Sequence, residues 1–255
     1  MATVEYTTDG HIAVITINRP EARNAVNGDV AAGIEAAIDR LEADDALWLG
    51  VLTGVPPVFS AGADLKEINA GRAANLGTER GGFAGITKRE RTKPIIAAVD
   101  GPALAGGTEI CLSCDLIVAS TTARFGIPEV KRCLIAAGGG LFRLPRKVPF
   151  NVAMELALTG DPIDAERAYH FGLVNRICEP GMALSTAVEL GRQIEANAPV
   201  AVRASRLVIY AAMTEDEDTG WRLSGQGMAE AMGSEDMKEG LTAFIEKRPP
   251  SWTGR

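Results

Sequence analysis

Two turns built from small residues, each directly after an apolar, strand-like run, constrain the fold of this 255-residue chain most. The first turn is the stretch 59–65 (FSAGADL), which follows the run 47–53; the second is the stretch 101–109 (GPALAGGTE), which follows the run 94–99. Glycine permits close approach of a ligand to the backbone, and the first N–H groups of a helix lack internal partners. The two turns therefore predict a single site at which backbone N–H groups bind an oxyanion.

The order of strand, small-residue turn, helix and strand occurs twice, around Ala63 and around Gly106, and predicts layered α/β structure. Residues 4–18 are predicted to form a hairpin, because polar and apolar residues alternate on both sides of an Asp-Gly pair. A helix is expected to begin after Asn27. The glycine-rich and charged segment 71–93 is interpreted as a mobile, partly helical cover over a pocket, with a solvated surface excursion as the alternative.

The C-terminal part of the chain is predicted to be helical. Residues 199–213 carry apolar residues at helical spacing, and Ser234 is expected to cap a second helix with an apolar face. An acidic loop, residues 215–218, is expected between the two helices. Because no linker marks an earlier boundary, we divide the chain into a core, residues 1–198, and a helical region, residues 199–255.

Composition excludes several classes of partner. The formal net charge of −7 gives no overall attraction to nucleic acid or to anionic membranes. No apolar run approaches the roughly 20 residues of a spanning helix, and the N-terminal residues do not resemble a signal peptide, so a cytoplasmic location is expected. Cys111 and Cys114 form a C-x-x-C pattern, but His11 and His170 do not lie at metal-ligand spacing from it. We therefore interpret both cysteines as buried residues one turn apart on a helix and expect no metal.

Glu109 and Glu129 are the candidate catalytic side chains. A glutamate is usually a solvated surface group, but both of these lie in apolar segments punctuated by glycine and proline. In such a setting a carboxylate needs a partner, a shifted pKa or a catalytic role. Two carboxyl groups that face each other could share one water. Other catalytic patterns are incomplete, since Gly107 replaces the lysine of a phosphate-binding loop and Ser60 lacks the flanking glycines of a nucleophile elbow.

Several motifs, in order along the chain, resemble the enoyl-CoA hydratase/isomerase (crotonase) superfamily. They run from NRP at residues 18–20 through FSAGADLKE, AGGTE, CD and FGIPE to FIEKRP at residues 244–249. The resemblance implies a spiral of repeated ββα units, with a C-terminal helical region that joins subunits into a homotrimer or a dimer of trimers. It also implies an acyl-CoA substrate from lipid metabolism and no cofactor, since coenzyme A is part of the substrate.

Carried over residue by residue, the resemblance assigns the two oxyanion-hole N–H groups to Ala63 and Gly106, and the paired catalytic carboxyl groups to Glu109 and Glu129. It implies an enoyl-CoA hydratase, which adds water reversibly across the C2=C3 double bond of a 2-enoyl thioester. Either glutamate could act as the base. An enoyl-CoA isomerase of the same fold and a non-catalytic acyl-CoA-binding protein are the alternatives.

The resemblance also assigns contacts with the substrate's coenzyme A. Ala61, Asp64 and Leu65 are expected to line the adenine pocket through their backbone. Arg23 and Lys66 are expected near the phosphates, although Lys66 could equally be a solvated helix residue.

The chain departs from the family pattern after Glu129. Cys133 and the alanines at 136–137 stand where glycine and proline are usual, which changes the backbone shape and the expected width of the acyl pocket. A short straight-chain acyl group is therefore less expected. Leu141 and Phe142 would suit a bulkier or branched acyl group, such as a sterol side chain or a carnitine-like group, and core packing is the alternative for both residues.

Overall fold

The computed structural model describes residues 2–255. The first half contains strands β1 (Val4–Asp9) and β2 (Ile12–Ile17), helix α1 (Gly28–Ala43), strand β3 (Leu49–Gly54), helix α2 (Leu65–Asn69), strands β4 (Gly77–Thr78), β5 (Gly82–Phe83), β6 (Ile95–Val99) and β7 (Pro102–Leu104), and helix α3 (Gly106–Ser113). The second half contains strands β8 (Leu116–Ser120) and β9 (Arg124–Gly126), helices α4 (Gly140–Arg143) and α5 (Phe150–Thr159), strand β10 (Ile163–Asp164), helix α6 (Ala165–His170), strand β11 (Arg176–Cys178), and helices α7 (Ala183–Glu195), α8 (Pro199–Ala211), α9 (Glu217–Gly233) and α10 (Glu235–Glu246).

The main sheet has six strands in the order β1-β2-β3-β6-β8-β11. β1 and β2 form the predicted antiparallel hairpin, and the other neighbours pair in parallel. β7 leaves the main sheet after β6 and joins β9 and β10 in a second, three-stranded sheet. The predicted α/β class is confirmed. The helix predicted after Asn27 is also present, and the Asn27 side chain caps it by accepting a hydrogen bond from Val30 N at 3.0 Å.

The central strands are buried on both faces, as expected for parallel strands covered by helices. Every residue of β3 and of β6 is buried. One face of the sheet packs against α1 through Ile34, Ile38 and Leu41. The other face packs against α7, whose Ala183 and Ala187 contact it. This rigid layer fixes the carboxyl ends of β3 and β6 side by side, and both small-residue turns begin there.

The segment 71–93 is anchored to the core. It contains a short 3-10 helix (Ala73–Leu76) and the β4-β5 hairpin, and Leu76, Ala84 and Ile86 are buried. Lys93 Nζ donates to the carbonyl groups of Leu41 at 2.7 Å and Asp44 at 2.8 Å, which satisfies the end of α1. The part from Leu76 onward is therefore packed on the core, whereas residues 71–75 are exposed, and mobility of this segment stays a prediction.

Three helices rather than two follow Pro199. α8 begins at Pro199, and Ser234 caps α10 by accepting from Met237 N at 3.1 Å, both as predicted. The acidic loop predicted at residues 215–218 is only partly correct. Glu215 and Asp216 lie in the connection after α8, but Glu217 and Asp218 open the unpredicted helix α9, which Asp216 caps by accepting from Thr219 N at 2.9 Å. Acidic residues stabilise the N-terminus of a helix. Helix α9 was missed because it buries no apolar face within the chain. Among the described residues, no helix combines the length and the apolar character needed to cross a bilayer.

Candidate active site

The two small-residue turns meet. Ser60 and Ala103 form a parallel bridge, in which Leu104 N donates to Ser60 O at 3.0 Å. The turns also approach closely at Gly62, where an added Cβ atom would lie only 2.6 Å from Gly106 N. Glycine is required at this position because its φ is +85° and because no side chain fits there.

Two backbone N–H groups are free at this junction. Val26 forms a parallel bridge with Ala63 by donating to Gly62 O at 2.8 Å and accepting from Asp64 N at 2.9 Å. This pattern turns the N–H group of Ala63 away from Val26. Within residues 2–255, neither Ala63 N nor Gly106 N donates to a protein acceptor. The residues assigned to the oxyanion hole therefore present two unsatisfied donors in the same place.

Ala105 aims the second donor. It adopts φ 53° and ψ −126°, a conformation that costs a residue other than glycine about 1–3 kcal/mol. Its N–H group donates to Gly126 O at 2.9 Å, and the buried Thr108 hydroxyl lies 2.7 Å from Ala103 O and 2.8 Å from Gly126 O. These contacts hold the start of α3 in a fixed geometry. The direction of the Gly106 N–H group is thus set before any ligand binds.

The first turn is held by buried side chains. Ser60 Oγ donates to Asn24 O at 2.9 Å and accepts from Gly62 N at 3.2 Å. The Asn24 amide donates to Val55 O at 2.8 Å and to Val58 O at 2.6 Å. Ser60 is therefore a structural residue, in agreement with its rejection as a nucleophile.

Glu109 lies one turn into α3 and is only 4% exposed. Its Oε1 accepts from Gly140 N at 2.9 Å, and the nearby Gly138 N–H group also favours the charged form. Burial raises the pKa of Glu109 to about 6, with a further increase from the charge of Glu129; the two N–H donors and Arg143 oppose the shift. Glu109 is thus ionised near neutral pH but close to its titration range.

Glu129 follows β9, in a 3-10 helix that spans Pro128–Arg132. Its Oε2 is buried and has no hydrogen-bond partner among the described residues. Burial raises the pKa of Glu129. A buried carboxyl oxygen without a donor favours the protonated form. The two carboxyl groups are near enough for one charge to act on the other, yet their hydrogen-bonding environments differ.

The residues assigned to coenzyme A surround the first turn. Arg23 and Lys66 are exposed, and Arg23 O accepts from Ala61 N at 3.0 Å. Leu65 is 53% exposed at the start of α2. Asp64 differs because its side chain is buried. It caps α2 by accepting from Lys66 N at 2.9 Å, and it also binds Arg19.

Arg19 is a site residue to which sequence reasoning gave no role. Its Nη1 donates to Asp64 Oδ2 at 2.7 Å and to Ala25 O at 3.0 Å. Burial opposes ionisation of Asp64, but the hydrogen bonds from Arg19 and Lys66 N outweigh it and lower the pKa. The pair ties the connection after β2 to the residue beside Ala63. In the sequence, only its place in the NRP motif distinguished Arg19 from other arginines.

Leu141 and Phe142 lie on the short helix α4, immediately after the turn that contacts Glu109. They are 45% and 53% exposed, so the alternative of core packing is wrong. Cys111 and Cys114 are fully buried at the end of α3, as predicted, and burial raises the pKa of both thiols.

Two carboxyl groups and two preorganised N–H donors are the features that an acid–base site needs for a carbonyl compound whose oxygen becomes negatively charged. Comparison with known proteins agrees. The sequence model of the enoyl-CoA hydratase/isomerase family matches residues 7–255. The chain therefore belongs to the enoyl-CoA hydratase/isomerase family, and the predicted resemblance is confirmed.

Individual relatives differ in the acyl groups that they are named for. A crystal structure titled enoyl-CoA hydratase from Mycobacterium tuberculosis is 47% identical, covers 100% of both chains and superposes with a TM-score of 0.96. Mevalonyl-coenzyme A hydratase of Aspergillus fumigatus is 40% identical over 95% of this chain and 91% of that protein. Carnitinyl-CoA dehydratase of Salmonella agona is 36% identical over 98% of this chain and 97% of that protein. The crotonase fold is shown by these similarities.

Proposed function

We propose that this protein is an enoyl-CoA hydratase, which adds water reversibly across the C2=C3 double bond of a 2-enoyl-CoA thioester. The observation that carries the proposal is a pair of carboxyl groups, the buried Glu109 and the half-buried Glu129 with one buried oxygen, together with the free N–H groups of Ala63 and Gly106. An isomerase would need one carboxyl group to move a proton, whereas two of them can hold and activate a water.

The oxyanion hole lowers the barrier by binding the thioester oxygen. Addition at C3 turns the thioester into an enolate, and the N–H groups of Ala63 and Gly106 stabilise the charge that develops on its oxygen. Each such donor typically contributes ~3–4 kcal/mol. Because both donors belong to the backbone and the strained Ala105 fixes one of them, little reorganisation is needed during the reaction.

The hydrogen-bonding environments of the two glutamates support a division of roles. Burial raises the pKa of both groups, which favours one shared proton on the pair. Gly140 N binds the Glu109 carboxylate, so we take Glu109 as the base that accepts a proton from the attacking water. Glu129 has a buried oxygen without a donor, so we take it as the partner that carries the proton delivered to C2. The hydroxide equivalent bonds to C3, and proton exchange between the pair restores the starting state. No cofactor is needed beyond the coenzyme A of the substrate.

We assign coenzyme A to the exposed side of the first turn. Arg23 and Lys66 provide positive charge for its phosphates, which suits binding of an anion by an acidic protein. Ala61, Asp64 and Leu65 contribute through the backbone; for Asp64 this is the available mode, since its carboxylate is engaged by Arg19.

We propose a branched or polar-branched acyl group. Leu141 and Phe142 are exposed next to the turn that holds Glu109, where they can contact a bulky acyl chain. The names of the mevalonyl-CoA and carnitinyl-CoA relatives support this choice, because both acyl groups are branched at C3 or carry a polar substituent.

We also propose that the protein assembles as a homotrimer or a dimer of trimers through the region 199–255. Helices α8 to α10 expose several large apolar side chains that a partner would cover, namely Leu207, Ile209, Trp221, Met228, Met232, Leu241, Phe244 and Ile245. Sedimentation of the purified protein would measure the stoichiometry directly.

Hydration is tested with a panel of 2-enoyl-CoA thioesters that includes short-chain, 3-methyl-branched, carnitine-derived and sterol-derived acyl groups. We expect loss of the conjugated thioester absorbance with the branched members and slower turnover of the straight-chain one. Formation of a conjugated product from a 3-enoyl thioester, without any hydration, would replace the proposal with the isomerase. Tight binding without either reaction would indicate a binding protein.

Closing the oxyanion hole should abolish most of this activity. In the Gly62→Ala variant, the new Cβ atom would lie 2.6 Å from Gly106 N, so the thioester oxygen could no longer reach that donor. We expect kcat to fall about 10²–10³-fold. Gly172→Ala is the matched control, because Gly172 has a similar φ of +81° but nothing within 4 Å of an added Cβ. Equal turnover by both variants would argue against the hole.

A further inference from the structure

Arg143 places a half-buried positive charge behind the active site. Its guanidinium donates through Nη2 to Thr87 O at 2.6 Å, and through Nη1 to Ser113 Oγ at 3.2 Å and Gly138 O at 3.3 Å. Within residues 2–255 it forms no ion pair with a carboxylate. Burial lowers the pKa of Arg143. A half-buried arginine that is bound only by neutral acceptors has lost water without gaining a counter-charge, so its position needs a structural or functional reason.

Two of the Arg143 contacts involve segments that adjoin Glu109, namely the turn 138–140 and the end of α3. The turn 138–140 supplies the Gly140 N–H group that binds Glu109, and Arg143 holds the carbonyl group of Gly138 in that turn. Ser113, which Arg143 also contacts, donates its hydroxyl to Glu109 O at 2.7 Å. Gly139 has a φ of +111°, and a side chain there would collide with the Arg143 guanidinium. The backbone of the turn and the guanidinium are therefore fitted to each other.

We propose that Arg143 is a positioning residue, which fixes the turn 138–140 against Glu109 and thereby orients that carboxylate toward the attacking water. The inference rests on the proposed hydration reaction. Arg143 itself lies behind the turn and does not contact the reacting atoms. Its hydrogen bonds act on geometry, and its charge acts on the ionisation of Glu109.

The charges around Glu109 predict the direction in which Arg143 changes the pKa of Glu109. Glu129, from the segment Pro128–Arg132, raises the pKa of Glu109, whereas Arg143, from α4, lowers it. If Glu109 is the base, kcat/KM falls as the pH drops below the pKa of Glu109. Removal of the Arg143 charge raises that pKa above about 6, so the acidic limb of the profile should move to higher pH.

Two substitutions separate geometry from charge. Arg143→Gln removes the charge and the forked donors, and we expect kcat to fall by up to about 100-fold with little change in KM, because the base is misplaced. Arg143→Lys keeps the charge, so it should recover part of kcat and leave the acidic limb where it is in the wild type. Arg146→Gln is the matched control, since Arg146 is an exposed neighbour that contacts Phe142 only as a distant cation over its ring. We expect wild-type kinetics from it.

A readout independent of turnover keeps the inference distinct from the proposed function. The infrared carboxyl band of Glu109, identified by its loss in Glu109→Gln, can be titrated with pH in the wild type and in the Arg143 variants. A shift to higher pH in Arg143→Gln but not in Arg143→Lys supports the inference even if no thioester is hydrated, a result that would reject only the proposed function. An unshifted titration together with wild-type kcat in Arg143→Gln would overturn it. Should Arg143→Gln fail to fold, a wild-type kcat in Arg143→Lys would overturn the positioning role.

Discussion

Replacing Glu129 with glutamine will slow hydration by about 10²–10⁴-fold, the range expected when a positioned acid or base is lost. Glutamine keeps the size of the side chain but has no acidic proton to deliver to C2. The oxyanion hole and the first turn are untouched, so the affinity for the thioester should stay near that of the wild type. Glu109→Gln should have an effect of similar size, because an amide cannot take a proton from water.

The double variant adds a test of cooperation within the pair. If the two carboxyl groups act on one water, as proposed, substitution of both should cost little more than substitution of either one. The measurement is kcat for the best thioester of the panel, with binding of the same thioester followed by calorimetry. Glu166→Gln, an exposed glutamate on α6, is the control and should behave as wild type. If Glu129→Gln retained more than about a tenth of the wild-type kcat, Glu129 would not be the acid.

The location of the site was predictable because it depends on local features of the chain. Small residues after the runs 47–53 and 94–99 indicated turns that open helices. Since these runs became the neighbouring parallel strands β3 and β6, the turns had to meet at one edge of the sheet. Glu109 follows from the same logic, because it lies one turn into α3. The assignment of Glu129 needed the apolar setting of its segment and the family resemblance.

The residues that support the site were not predictable in this way. Asn24 holds carbonyl groups 31 and 34 positions away, and Arg143 holds one 56 positions away. Such hydrogen bonds leave no periodicity in the sequence, and the donors look like ordinary surface residues. Helix α9 was missed for a related reason. None of its residues is buried in the chain, so burial against the core leaves no pattern in its sequence that would mark it as a helix.

Asp115 illustrates a further residue whose importance only the tertiary structure reveals. It appeared in the sequence only within the CD motif. In the structure its carboxylate binds Arg91 Nη1 at 2.6 Å and Arg206 Nε at 2.7 Å, and it accepts from Ile95 N at 2.7 Å. Arg91 is almost fully buried, whereas Arg206 belongs to α8. One carboxylate therefore links the central sheet to the C-terminal helices.

We expect Asp115→Ala to lower the free energy of unfolding by about 3–5 kcal/mol at neutral pH, because it leaves the buried Arg91 and the half-buried Arg206 without their counter-charge. Glu155→Ala is the control: its pair with Arg167 is equally short at 2.6 Å but lies exposed, so the urea midpoint should hardly move.

Burial alone would raise the pKa of Asp115, but the two arginines outweigh it and lower the pKa. The stabilisation is thus complete above the unfolded pKa near 3.9 and is lost as the pH falls through the lower folded pKa. Urea titrations at one protein concentration should show a difference between wild type and Asp115→Ala that is constant from neutral pH to about pH 5 and shrinks below pH 4. A difference independent of pH throughout would mean that the carboxylate charge is not its source.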